Sequence, residues 1–124
     1  MDEKFGVTAI LKIDLSTDDI DDIVCTALEG GINYWCCKAE VVGKYLGEYA
    51  SDQISRGGSL ILYDSESNDK WELTFDKLLK GVAFWLASNH NLAIKNNRID
   101  TCDIDGNAAD FIVQYALFGE LVFG

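Results

Sequence analysis

The chain has no proline, a single histidine, and ten basic residues against 21 acidic ones. Without proline there is no proline-rich linker, and neither an internal repeat nor a low-complexity tract divides the 124 residues. No apolar run approaches the ~18 residues that cross a bilayer. The opening "MDEKFG" has neither the basic start nor the apolar middle of a signal peptide. A cytoplasmic protein without membrane contact is the expectation. The shortage of positive charge, net −11, disfavours direct binding to a nucleic-acid backbone. No C-x-x-C pair occurs among Cys25, Cys36, Cys37 and Cys102, and adjacent cysteines suit a zinc site poorly, so reduced, packed thiols are expected. There is no P-loop, GxGxxG, HExxH or GxSxG, and no nucleophile stands out as a partner for His90. These gaps argue against an enzyme, and no cofactor is implied.

Nearly half of the residues are apolar, enough for one domain over residues 1–124 that buries roughly two thirds of its unfolded surface. "FGVTAILKIDL" (Phe5 to Leu15) alternates like a strand with one buried face. Ser16 then caps a helix, with Asp19 three residues on. Ile20, Ile23, Val24, Ala27 and Leu28 mark its apolar face, and Gly30 and Gly31 are expected to end it in the left-handed conformation. "YWCCKAEVVG" reads as a strand and "GEYASDQISRGG" as a short helix or turn. "SLILYD" and "KWELTF" form a hairpin across "SESND". Thr74 caps a helix through "FDKLLKGVAFWLAS" despite Gly81. "NHNLAIKNNRID" is loop-like, with a short strand near Leu92 to Ile94. A last helix from about Asn107 to Phe118 stops at Gly119, leaving "ELVFG" as an extended tail. Helices and strands mix without βαβ alternation, which predicts an α+β fold: about four strands, antiparallel or mixed, with three to four helices.

"DTCDIDGNAADF" (100–111) resembles a calcium loop until its positions are numbered. With Gly106 at the sixth position, Thr101 is first and Ile112 twelfth, so both ends of the coordination sphere fail. Asp105 is better read as the cap of the last helix, with Asp103 near its positive end; no metal site is expected.

Two features rise above this background. "DLSTDDIDD" places Asp14, Asp18, Asp19, Asp21 and Asp22 within nine residues, and the first thirty residues carry eight acids against two lysines, a balance of −6. Such a patch attracts a basic protein surface, including one that otherwise holds nucleic acid. The second feature is surplus apolar surface on the last two helices. Phe111, Tyr115 and Phe118 form a stripe beside Ala109, Ile112, Val113, Ala116 and Leu117. Phe84 and Trp85 point away from the stripe of Phe75, Leu78, Leu79, Val82 and Leu86. Either one of these helices is central and buried, or Phe84, Trp85, Phe111, Tyr115 and Phe118 form an oligomer interface, most simply a homodimer.

"ALEGGINYWC", "EVVGKYLGEYASDQISRGGSLILYD" and "QYALFGELVFG" resemble small acidic proteins of unknown function carried by phages and mobile elements of Firmicutes-like bacteria. The motifs look structural, so the resemblance transfers no functional residue. It implies genomic company that includes anti-defence inhibitors, some of which block CRISPR nucleases by covering a nucleic-acid-binding surface. The expected function is therefore an acidic interaction module, an anti-defence inhibitor such as an anti-CRISPR, whose partner is a basic protein such as a CRISPR effector nuclease in a bacterial host cell. Two alternatives stand beside it: a small ligand-binding or enzymatic domain with a pocket near Arg56, His90 and Arg98, and a structural assembly component of a phage or mobile element.

Overall fold

The structure, a computed structural model, describes residue 5 and residues 12–88, 94–95 and 97–124. Helix α1 (Thr17–Thr26) runs into one π-helical turn (Ala27–Gly31), followed by strand β1 (Cys36–Val41) and two 3-10 turns (Ala50–Asp52 and Ile54–Arg56). Strands β2 (Leu60–Asp64) and β3 (Lys70–Leu73) lead into helix α2 (Phe75–Ser88). The short strands β4 (Ile94–Lys95) and β5 (Arg98–Ile99), a 3-10 turn (Thr101–Asp103) and helix α3 (Gly106–Phe118) complete the chain. The β1-β2-β3 sheet is wholly antiparallel, with a register irregularity between Cys36 and Lys38, and β4 pairs with β5 separately. This is an α+β domain, and the hairpin across "SESND" forms as its turn residues dictate. Most of the expected strand from Phe5 to Leu15 lies outside the described residues; Phe5 and residues 12–15 belong to no regular element.

Local chemistry sets the helix starts. The Ser16 hydroxyl accepts the Asp19 N–H at 3.1 Å while the Asp19 carboxylate accepts the Ser16 N–H at 2.9 Å, a reciprocal capping box. Thr74 accepts the Lys77 N–H at 3.3 Å, and Asp105 accepts the Ala108 N–H at 2.9 Å. Within the calcium-like loop, Asp105 thus begins α3, while Asp100 accepts the Cys102 N–H and caps the 3-10 turn before it. The end of α1 departs from expectation. Neither Gly30 nor Gly31 takes a positive φ. The helix instead widens into the π turn, and a Cβ built on Gly31 would stand 2.6 Å from the carbonyl oxygen of Gly106. Gly31 is required by the close approach of α3, not by a left-handed cap.

The same constraint places α2. A Cβ on Gly81 would collide with the carbonyl oxygen of Ile112 and lie 2.9 Å from the Ala116 backbone N–H nitrogen. The helices therefore cross at Gly81, and the buried face of α2 is Leu78, Gly81, Val82 and Trp85. This corrects two expectations at once: Leu79 is exposed, whereas Trp85 is 5% exposed and sits in the core. Centring the stripe on Gly81, rather than tolerating that glycine, would have found Trp85. Helix α3 is the central buried element, apolar around most of its circumference, with Ala108, Ala109, Ile112, Val113 and Ala116 all buried.

Glycine inside a helix ordinarily costs about 1 kcal/mol relative to alanine, so Gly81→Ala would stabilise a helix with free space at that position. Here overpacking dominates, and the substitution is expected to lower stability by about 1–3 kcal/mol in urea unfolding. Gly30→Ala, in the helical turn with nothing within 4 Å of its Cβ and no positive φ, is the control and should be neutral or stabilising by up to about 1 kcal/mol. A stabilised Gly81→Ala protein would contradict the close crossing.

Candidate functional site

The five clustered aspartates do not share one fate. On a helix, Asp19 and Asp21 stand about 200° apart, so they face opposite flanks of α1. Asp19 is 8% exposed and pairs with the Arg98 guanidinium at 2.8 Å. Asp21 accepts the Ser55 hydroxyl at 2.6 Å and faces Arg56 at 3.5 Å. Partly exposed pairs of this kind contribute little to stability, roughly 0–1 kcal/mol. Their effect is positional: α1 is held on one side by β5 and on the other by the second 3-10 turn. Arg56 and Arg98 consequently stand on opposite sides of α1 and do not converge on a shared pocket; His90 lies outside the described residues. Asp14 lies 3.8 Å from Lys12, both well exposed.

Asp18 and Asp22, one helical turn apart, remain on the outward ridge. Asp22 accepts the Thr101 hydroxyl at 3.0 Å, which brings the Thr101–Asp103 turn against α1. Asp100 beside Cys102, with Asp103 and Asp22 adding to it, pushes that thiol above its usual range. Three carboxylates from segments about eighty residues apart therefore act on one spot. Asp18, Asp22, Asp100 and Asp103 are exposed, and among the described residues no lysine or arginine pairs with any of them. Glu29, also exposed, extends the ridge toward the helix end; after burial, it is the main influence raising the neighbouring Cys25 thiol. The surface is thus built partly from residues that the sequence cluster did not contain, while two members of that cluster are used internally. The return of β5 and of the Thr101–Asp103 turn to α1 joins the two halves, and no local pattern announces that return.

Beside this ridge, the loop before the 3-10 turns exposes Val42, Tyr45, Leu46 and Tyr49. It is tied down by Gln53, itself 1% exposed, whose side-chain oxygen accepts the Leu46 N–H at 2.7 Å and whose amide nitrogen donates to the Tyr49 carbonyl at 2.8 Å. A cleft of about 280 Å3 opens between α1 and this segment, lined by Cys25, Leu28, Glu29, Tyr49, Ala50 and Ser51.

The expected oligomer face is also redistributed. Phe84 is 52% exposed and stacks on the half-buried Tyr115 at a centroid distance of 5.9 Å; Phe111 is 38% exposed. Phe118 turns inward instead, edge-on to Trp71 at 5.1 Å, within a cluster completed by Trp35 and Phe123. Phe123 lies flat on Trp35 at 4.8 Å, so the last residues are not a free extended tail. The Gln114 side-chain oxygen accepts the N–H groups of Val122 and Phe123, both at 2.8 Å.

One turn before Gln114, Asp110 is 3% exposed and accepts Tyr34 Oη–H at 2.6 Å, Trp35 Nε1–H at 2.7 Å and Gln114 Nε2–H at 2.9 Å. Three donors replace the water that this carboxylate loses, which is the condition for burying it. A cleft of about 540 Å3 opens beside it, bordered by Tyr34, Phe111 and the tail from Leu121 to Gly124. The sequence signal was available: Asp110 and Gln114 are polar residues four apart inside an apolar helix, a spacing that brings them into contact.

Comparison with known proteins finds no matching family model, no similar curated protein and no similar solved structure.

Burial and the hydrogen bond to Asp110 push the Tyr34 hydroxyl up to about 12. A raised tyrosine pKa means that the neutral, donating form is favoured by folding. Its stabilisation is complete below the ordinary value of 10.0 and is lost as pH rises through about 12. Because Tyr34 is 55% exposed, solvent discounts this bond, and Tyr34→Phe is expected to destabilise by about 0.5–1 kcal/mol at pH 7. The gap from the unsubstituted protein should narrow as denaturation is repeated between pH 10.0 and about 12. A gap that stays constant over that range would show that the hydroxyl does not serve Asp110.

Proposed function

We infer that the protein is an acidic interaction module that occupies a basic, nucleic-acid-handling surface of another protein instead of turning over a substrate. The observation that carries this reading is the convergence of Asp18, Asp22, Asp100 and Asp103 on one outward surface without cationic partners among the described residues. Carboxylates held at fixed positions on a helix and a turn present negative charge much as a phosphate backbone does. They steer a basic partner into contact. An anti-defence inhibitor acting on a host nuclease, a CRISPR effector among them, is the biological setting that this chemistry fits best. No helix among the described residues is long and apolar enough to cross a membrane.

The test is charge reversal at two residues from different segments, Asp18→Lys with Asp103→Lys. Neither side chain accepts a hydrogen bond among the described residues, so the fold should be retained. The variant is expected to capture basic proteins from a bacterial lysate far less well, to associate with them at least about tenfold more slowly, and to lose protection in a plasmid-interference assay. Full activity of the double variant would sink the reading.

A second reading concerns self-association, favoured by the exposed Phe84 stacked on Tyr115 with Phe111 on the same helix as Tyr115. Phe84→Glu is expected to convert a dimer to a monomer in sedimentation at micromolar concentrations while the far-ultraviolet spectrum is unchanged. A monomer before substitution would remove this reading and leave the acidic surface untouched.

A further inference from the structure

The cleft beside α1 combines three features that belong together chemically. Its floor and walls are mainly apolar, with Leu28 and Ala50 half-buried. At its lip stands Tyr49, 62% exposed, on a segment held by Gln53 and by Asp52, whose carboxylate accepts the Tyr49 N–H at 3.0 Å. The exposed Glu29 carboxylate also borders it, and Asp22 lies close enough along the helix to act on Cys25 in the same wall. At about 280 Å3 the cleft falls just below the roughly 300–1,000 Å3 of pockets that enclose whole small molecules. It has the capacity of one side chain.

We propose that this cleft is the anchor point for an arginine side chain of the protein partner, a proposal that rests on the basic-partner reading above. The aliphatic stem lies along Leu28 and Ala50, as long cationic side chains do on apolar surface. The planar guanidinium faces Glu29 and lies over the Tyr49 ring, gaining a charge-assisted hydrogen bond and a cation–π contact together. Arginine fits better than lysine because its flat head can stack on the ring and bridge a carboxylate at the same time. The distribution of work follows: the ridge from Asp18 to Asp103 attracts the partner at a distance, and the cleft fixes its register on arrival. Arginine is a frequent centre of binding energy in protein interfaces, and a pocket next to a steering surface is where such a residue is held.

The experiment uses the whole chain and a probe that needs no partner, N-acetyl-arginine amide, with the citrulline amide as a neutral analogue of the same shape. In amide nuclear magnetic resonance titrations the arginine probe should shift Leu28, Glu29, Ala50 and Ser51, with half-saturation on the order of 1–10 mM, as expected for one side chain without its protein. The citrulline probe should leave them in place. The same probe should slow alkylation of Cys25 and leave Cys37 and Cys102 unaffected. Glu29→Gln and Tyr49→Ala, both at exposed positions, should each abolish the shifts. The Asp18→Lys, Asp103→Lys variant should keep them, which separates this proposal from the steering reading. Equal shifts with citrulline, or shifts spread evenly over every acidic residue, would overturn the cleft as an arginine site. If the probe binds as expected and no basic partner is captured, the fault lies with the steering reading alone.

Discussion

Backbone-to-backbone approach to α3 is the constraint on which the rest of this molecule depends. Two glycines permit it, Gly31 at the start of that helix and Gly81 at its middle, and in both places a single methyl group would meet a carbonyl oxygen. With α3 so tightly embraced, one helix serves three purposes: its small residues admit α2, its apolar residues fill the core, and its polar pair Asp110 and Gln114 fastens the segments on either side. The π turn that continues α1 ends at Gly31, at the same contact.

The polar interior combines two amides, Gln53 and Gln114, with two carboxylates, Asp19 and Asp110. Gln53 and Gln114 are both fully enclosed, and each uses its carbonyl to hold backbone N–H groups of a segment lacking regular structure. An amide carries donor and acceptor together, so it can bridge irregular backbone without the large desolvation cost of a charge. Asp110 is enclosed with its three donors, whereas the aspartates of α1 and of the Thr101–Asp103 turn have a different assignment. Those at Asp19 and Asp21 orient α1 between its neighbours, and those at Asp18, Asp22, Asp100 and Asp103 face outward. The net charge of −11 is thus not spread evenly; part of it is gathered on one helix ridge and one turn.

Periodicity and capping chemistry made the α+β class, the central hairpin and the starts of all three α-helices legible in the sequence, because each depends on residues within a few positions of one another. Ser16 with Asp19, Thr74 and Asp105 are examples in which the side chain and the N–H it serves are neighbours. What was hidden depends on distance along the chain. Gly31 and Gly81 read as a terminator and a blemish, since their significance lies in a helix that comes later. Trp85 read as a surface aromatic for the same reason. The acidic surface was half visible: the Asp14 to Asp22 run announces itself, but the return of Asp100 and Asp103 to that run, and the withdrawal of Asp19 and Asp21 from it, are tertiary events.

The central claim is that the acidic ridge draws a basic protein surface into contact, and the ionic-strength dependence of association tests it most directly. Between 0.1 M and 1 M salt the screening length falls from about 10 Å to about 3 Å, so long-range attraction fades while short-range packing persists. For the complex with a basic protein captured from a bacterial host, stopped-flow measurements should show an association rate constant that falls steeply over this range while the dissociation rate changes little. An association rate indifferent to salt would contradict the account.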